Sequence, residues 1–407
     1  MTARDDNDRL NNGEQLEPKD GPEVRAPNVF LDVAVQAQAD WFTEYPPRRR
    51  YLLTHEGTGD DAGKRAVGFL PRGKVGILAA AGGAGKTMAL VQLALSVATG
   101  RQWIGEYDVP TDEQGHVLLA LGEEDAEEVH RRLHYAFRVM WPSNEPKHAQ
   151  EREEAARLAH KRITVLPLAG KPVGFVATDR ATREVSPTPA HDQLVRLLTQ
   201  AGHDWSLVVL DPLSRFAGAD TESDSAAATR FIQAVEALVD VPGRPTVLLA
   251  AHTTKNSRKG DDNPNDATAV RGSSALTDGA RWAMTMMPER QDTLKLGPFV
   301  WLELVKSNYG PLDKPRKVAR ADGGALRPLT NQERTAHAEA LAKAAAAAQA
   351  HVAKVEAAAQ AQRAKAKDAA PARPATLPGR IPRTPPAQPP SKPRKPRGPN
   401  KPKESKA

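Results

Sequence analysis

Cysteine is absent from this chain. That removes disulfides, thiolate-held zinc and thiol catalysis, and it fits a reducing, cytoplasmic setting better than a secreted one. Long hydrophobic runs are missing too. No stretch approaches the ~18 apolar residues of a membrane span, and the opening MTARDDNDRL has no apolar core of the kind a secretion signal carries. No membrane partner is therefore expected. The body of the chain also lacks an excess of positive charge. The formal net charge is +7, but residues 371–407 hold ten Lys/Arg against the single acid Glu404, which leaves −2 for residues 1–370. A generally basic surface is excluded for the body, and the basic character belongs to the tail.

What is present fits a soluble globular protein: 40 % hydrophobic and 26 % charged residues over 407 positions, room for two average domains or one large α/β domain with tails. Residues 1–27 carry seven acids and four bases and predict a disordered segment. Aromatic and apolar residues begin near Asn28 (Phe30, Trp41, Phe42, Tyr45), ahead of Pro46-Pro47-Arg48-Arg49-Arg50. From there strand and helix signals alternate. VGILAA (75–80), HVLLAL (116–121), RITVLPL (162–168), SLVVLD (206–211) and TVLLAAH (246–252) read as strands, and FVWLELVKSNYG (299–310) as a late strand or strand pair. Between them TMALVQLALSVATG (87–100), EEDAEEVHRRLHYAF, HDQLVRLLTQAG (191–202) and AAATRFIQAVEALVD (226–240) read as helices. Strands without polar alternation, separated by helices, predict an α/β core over residues 28–330 with a mostly parallel sheet sandwiched by helices. Residues 331–370 are dominated by Ala, Gln, Lys and Glu and predict a solvated helix. Residues 371–407 hold twelve prolines and predict a mobile, extended tail.

The strongest local signal is AAAGGAGKT, between the first strand and the first helix. A phosphate-binding loop is usually G-x-x-x-x-G-K-[ST]; here Ala80 holds the first position, where the chain only leaves the strand and a methyl group fits. Gly83 and Gly85 permit a tight turn whose backbone N–H groups point at a phosphate, and the following helix presents its N-terminus to the same anion. Residues Ala81, Gly82, Gly83, Ala84, Gly85, Lys86, Thr87 and Met88 are therefore expected to hold ATP, with Lys86 on the β- and γ-phosphates and the Thr87 hydroxyl on Mg²⁺. A second carboxylate is required at the end of a neighbouring apolar strand, and Asp211, closing SLVVLD, suits it as the other metal-side group. A base must orient the attacking water. Glu123 is preferred and Glu124 comes next, both following the second strand in LALGEED; Asp125, Glu127 and Glu128 suit the start of a helix instead. His252, ending TVLLAAH, reads equally as a γ-phosphate sensor and as a buried structural histidine.

The pieces AAAGGAGKT, LALGEED…HRRL, LVVLDPLSRF, LLAAHTTK, AVRGSSALTDGARW and VKSNYGP stand in the order and spacing of RepA-type hexameric replicative helicases, the plasmid-encoded RecA/DnaB-like motors, over about residues 50–330. The chain resembles that family. The first and third pieces are common to many ATPases; HTTK followed by RGSSALTDGARW is much narrower. The resemblance implies a RecA-like P-loop NTPase core. It implies Lys86 and Thr87 for phosphate and Mg²⁺, Glu123 as catalytic glutamate, Asp211 as the Walker B carboxylate and His252 as conformational sensor. It also implies Arg271, acting in trans on a neighbour's nucleotide, with Lys306 a second candidate for that contact; the alternative for Arg271 is a loop arginine pairing with Asp278 or another local acid. A residue acting in trans requires head-to-tail subunits, hence a homo-oligomer, expected as a hexameric ring. Loops 217–226 and 255–270 are then expected to face a central channel, the second offering Lys255, Arg258 and Lys259 to the backbone of single-stranded DNA. Asp261 and Asp262 mix its charge, and neither loop has an aromatic platform for stacking bases. The proline-interrupted basic tail can tether DNA or serve only solubility. Departures from the pattern are Ala80, the single histidine in Ala251-His252 where the family often has two, and the tail itself. An ATP-dependent DNA helicase is the expected function. The alternatives are a RecA-like DNA-binding ATPase that does not unwind, such as a recombination mediator or loader, and a regulatory oligomer switched by ATP.

Overall fold

Apolar runs that leave no polar face become the inner strands of one mixed sheet, as burial on both sides demands. The computed structural model describes residues 34–56, 66–142, 145–253, 274–290 and 296–368. Its strands are β1 (Tyr51–Glu56), β2 (Ala66–Pro71), β3 (Val75–Ala80), β4 (His116–Leu121), β5 (Ile163–Pro167), β6 (Val176–Thr178), β7 (Val185–Pro187), β8 (Trp205–Asp211), β9 (Thr246–His252), β10 (Trp282–Arg290), β11 (Leu296–Ser307), β12 (Arg316–Arg320) and β13 (Leu326–Arg327). The helices are α1 (Asp40–Thr43), α2 (Lys86–Thr99), α3 (Ala126–Met140), α4 (Ala149–Arg162), α5 (Pro189–Thr199), α6 (Leu213–Phe216), α7 (Ser225–Ala237), α8 (Ser274–Gly279) and α9 (Asn331–Asp368).

The main sheet runs β13-β12-β11-β10-β3-β9-β8-β4-β5. From β10 to β5 every neighbouring pair is parallel, while β11, β12 and β13 extend the other edge antiparallel. This is an α/β arrangement: a mostly parallel sheet with helices on both faces. One face packs α2, α3 and α4 through residues such as Leu90, Leu93, Val129 and Ala155. The other packs α5, α6 and α7 through Leu198, Phe216, Phe231 and Val235. Each fully buried Leu or Phe contributes about 1.5–3 kcal/mol relative to exposure.

Two features differ from the reading of the sequence. FVWLELVKSNYG, read as a late strand or strand pair, lies mostly in the one long strand β11, but its antiparallel partner β10 is a strand the periodicity does not announce, because Met284 and Met286 alternate with Ala283 and Thr285 inside a fully buried environment. The Asp211 strand, β8, is not the immediate neighbour of β3: β9 lies between them, paired with both.

The chain divides into two compact units at Thr330/Asn331. The described part of the second is α9, whose described side chains, Leu341, Val352 and Val355 among them, are mainly exposed. Among the described residues no helix is long and apolar enough to cross a membrane.

Candidate functional site

Parallel pairing aligns the carboxyl ends of the inner strands, and ligands of open α/β sheets sit at that edge. In register, Ala80 faces His252 and Leu121 faces Asp211. The loop after β3 therefore opens beside the ends of β9, β8 and β4.

That loop is shaped by its glycines. Gly83 and Gly85 have φ of 75° and 94°, which side chains with a Cβ rarely adopt. Ala84 N–H closes a turn on Ala81 O at 3.0 Å, and Gly85 then serves as the N-cap of α2 without any side-chain cap. The first helical bond is Ala89 N–H to Gly85 O, 2.9 Å. The amides of Lys86, Thr87 and Met88 thus have no acceptor within the helix, and their aligned dipoles present partial positive charge to the loop's concavity. The helix behind them is long and rigid: almost all of it from Met88 to Ala98 is buried, and Gly100, at φ 82°, closes it by donating to Ser96 O.

Lys86 reaches across β9. Its Nζ donates to Asp211 Oδ1, joining residues 125 positions apart, with the two side chains only 8 % and 4 % exposed. The other carboxylate oxygen, Asp211 Oδ2, is buried and has no hydrogen-bond partner among the described residues. A buried anionic oxygen left unpaired is costly, and a cation at that position would satisfy it. The donor set, a carboxylate oxygen with the Thr87 hydroxyl at the head of α2, is the hard-oxygen kind that suits Mg²⁺.

The two glutamates after β4 part company. Glu123 is half-exposed, its carboxylate 3.5 Å from Arg215 Nε. Glu124 is held: its Oε1 accepts from Arg132 Nη2 at 2.7 Å, and Arg132 also faces Glu128 at 3.2 Å. Asp125 accepts from Glu128 N–H at 2.8 Å as the N-cap of α3, as the acidic start of that helix implies. His252 ends β9 half-buried beside a small cavity lined by Ser214 and Glu222.

Lys306 lies on β11, where its Nζ donates to Thr277 O at 2.6 Å and Asp278 O at 3.2 Å, the carbonyls at the end of α8. Burial pulls its pKa below the usual lysine value, with Asp278 acting the other way. Arg271, Lys255, Arg258 and Lys259 lie outside the described residues, and so does the whole 255–270 loop. The 217–226 loop is described; Asp224 at its end caps α7 by accepting from Ala226 and Ala227 N–H.

A family model described as an AAA domain matches residues 34–258, more than half of the chain. The chain belongs to the AAA-domain family. As a member with this loop it is a P-loop ATPase, an ATP-hydrolysing enzyme. Among solved structures it is similar to a DnaB-like replicative helicase described together with its interactions with primase, at 15 % identity and a TM-score of 0.43, covering 64 % of this chain and 58 % of the helicase. It is also similar to a structure described as an isolated ATPase domain, at 15 % identity and a TM-score of 0.44, over 64 % of this chain and 86 % of that one. The AAA-domain chain thus spans little more than half the length of the DnaB-like helicase.

Arg132, Arg215 and Arg320 stand close to this site without having been singled out by sequence. Arg132 lies in the quoted HRRL and was legible as a motif member; Arg320, in KVARADGG, carries no local signal at all.

Proposed function

We propose that this AAA-domain ATPase is the motor of a RepA-like DNA helicase, with residues 28–330 as its core, hydrolysing ATP to move along single-stranded DNA as a ring of identical subunits. The observation that carries the ATP half is the buried meeting of Lys86 and Asp211 at the uncapped head of α2. In this reading the loop of residues 81–88 holds the phosphates, and Lys86 leaves Asp211 for the β- and γ-phosphates. Thr87 and Asp211 would hold Mg²⁺, which when bound supplies charge neutralisation on the transferred phosphoryl group. Glu123 orients the attacking water. Its half-exposed carboxylate supports that choice, whereas Glu124 is already engaged by Arg132.

His252 supports a coupling role because its strand pairs directly with β3: a change at the phosphate end of β9 is carried to the chain that follows it. That following chain includes Lys255, Arg258 and Lys259, proposed to track the DNA backbone, and Arg271 and Lys306 are proposed to face a neighbouring subunit's nucleotide. The helicase half rests on the order of the motifs and on the narrow HTTK…RGSSALTDGARW similarity. The basic tail is proposed to tether DNA near the ring.

The test is strand displacement on a forked duplex with and without ATP, run beside particle imaging. ATP-dependent displacement by ring particles is expected. A chain whose ATPase is stimulated by single strands but which displaces none would instead be the non-unwinding DNA-binding ATPase, and a monomer without turnover would refute the motor altogether.

A further inference from the structure

The hairpin β12–β13 is fastened to the same helix that opens the phosphate loop. Gln92, fully buried two turns into α2, donates from Nε2 to Leu326 O at 2.7 Å and accepts from Leu326 N–H on Oε1 at 2.8 Å. Both backbone groups of one residue are satisfied by a single amide side chain, so the hairpin cannot slide along α2 without losing two buried bonds. Fixed in this way, the strand end carries Arg320 against the loop. Its Nη2 donates to Ala84 O at 3.1 Å. Its Nη1 lies 3.6 Å from where a side chain on Gly85 would begin, and Gly324 O lies 3.4 Å from the same point. The Nε is buried without a hydrogen-bond partner among the described residues. Arg320 also lines a groove of about 1530 Å³ shared with Tyr135 and Trp141.

We infer that Arg320 is a positioning residue of the phosphate loop, acting from within the same chain. The inference deepens the ATPase reading above and rests on it. In a trans peptide the C=O and the following N–H point in opposite directions. Holding Ala84 O towards Arg320 aims Gly85 N–H the other way, into the concavity where the amides of Lys86 and Thr87 also point. Without that hold, a loop with two left-handed glycines is free to flip this peptide and present a carbonyl to an anion. The guanidinium adds a permanent positive charge beside the site, from the sheet edge on the other side of β3 from Asp211's strand. A guanidinium suits the task because it is planar, always charged and tolerant of partial burial.

The experiment compares wild type with Arg320→Ala, Arg320→Gln and Arg320→Lys in the full chain. Equilibrium binding of ADP and of inorganic pyrophosphate is measured together with KM and kcat for ATP and the unfolding temperature. Arg320→Ala is expected to bind both ligands about tenfold or more weakly, the scale of one charge-assisted hydrogen bond. KM should rise by a similar factor with kcat within about twofold, the pattern of lost uniform binding. Arg320→Lys should recover part of the affinity, and millimolar guanidinium should restore Arg320→Ala saturably without helping wild type. Unchanged binding in Arg320→Ala overturns the inference, and so does a loss matched by a lowered unfolding temperature that guanidinium fails to repair. Wild-type protein that binds neither ligand would overturn the ATPase reading and this one with it; binding by wild type and variant alike would overturn this one alone.

Discussion

Removing either member of the Lys86–Asp211 pair should destabilise the fold well beyond an ordinary surface substitution. Asp211→Ala leaves an ammonium group, in a side chain 8 % exposed, without its counter-charge; Lys86→Met leaves a carboxylate, 4 % exposed, with neither oxygen partnered. Breaking a buried pair from one side costs about 3–5 kcal/mol, because the surviving charge pays desolvation with nothing in return. For a domain of this size that corresponds to a fall of roughly 4–8 °C in unfolding temperature. The double variant Lys86→Met/Asp211→Ala buries no orphan charge, so its loss should be smaller than the sum of the singles by about 2–3 kcal/mol. Urea unfolding of all four proteins, followed by circular dichroism without nucleotide, supplies the cycle. If each single change costs under about 1 kcal/mol and the two simply add, the charges are solvated in the resting protein and the reasoning from burial is wrong.

Glu123→Gln should keep nucleotide binding and lose about 10²–10⁴-fold in turnover, measured by phosphate release, whereas Glu124→Gln should act mainly by freeing Arg132. Gly85→Ala, at φ 94° and 3.4 Å from Gly324 O, should weaken ADP binding and cost about 1–2 kcal/mol in urea unfolding. Asp224→Ala removes the cap that accepts from Ala226 and Ala227 N–H and should cost about 1 kcal/mol by the same assay. His116 stacks on His203 with ring centroids 3.7 Å apart, and burial, His203 and nearby Arg162 and Lys161 hold its pKa below the usual 6.5. The unfolded chain then takes up a proton that the folded chain resists, so stability falls as pH drops below about 6.5. Urea midpoints at pH 7.5 and 5.5 should differ less in His116→Gln than in wild type.

The inner sheet was legible because burial on both faces leaves an unmistakable composition: VGILAA, HVLLAL and TVLLAAH become β3, β4 and β9 with the bounds the runs suggest. Gly100, the last residue of TMALVQLALSVATG, ends that helix as a left-handed cap, a position that suits a residue without a Cβ. Two things were not local. The order of strands depends on which crossover packs where, so the place of β9 between β3 and β8 could not be read from SLVVLD or its neighbours. The hairpin of β1 and β2, and β12 and β13 at the edge of the main sheet, mix charged and apolar residues, and there partial exposure erases the pattern. At the site, Lys86 and Asp211 came from motifs whose chemistry fixes residue types. Arg320 acts through a backbone carbonyl, and a bond to a carbonyl leaves no signature in the sequence of either partner.

The interposed strand has a metric meaning. Neighbouring strands lie about 4.7–4.9 Å apart, so β3 and β8 end roughly 10 Å from each other. A lysine side chain can bridge that interval, and a phosphate chain with a hydrated cation can lodge inside it; a single ladder spacing would press the carboxylate onto the loop. β9 is thus a gauge block, setting the jaw opening by backbone hydrogen bonds rather than by any side chain, which leaves the jaw width indifferent to most substitutions along that strand.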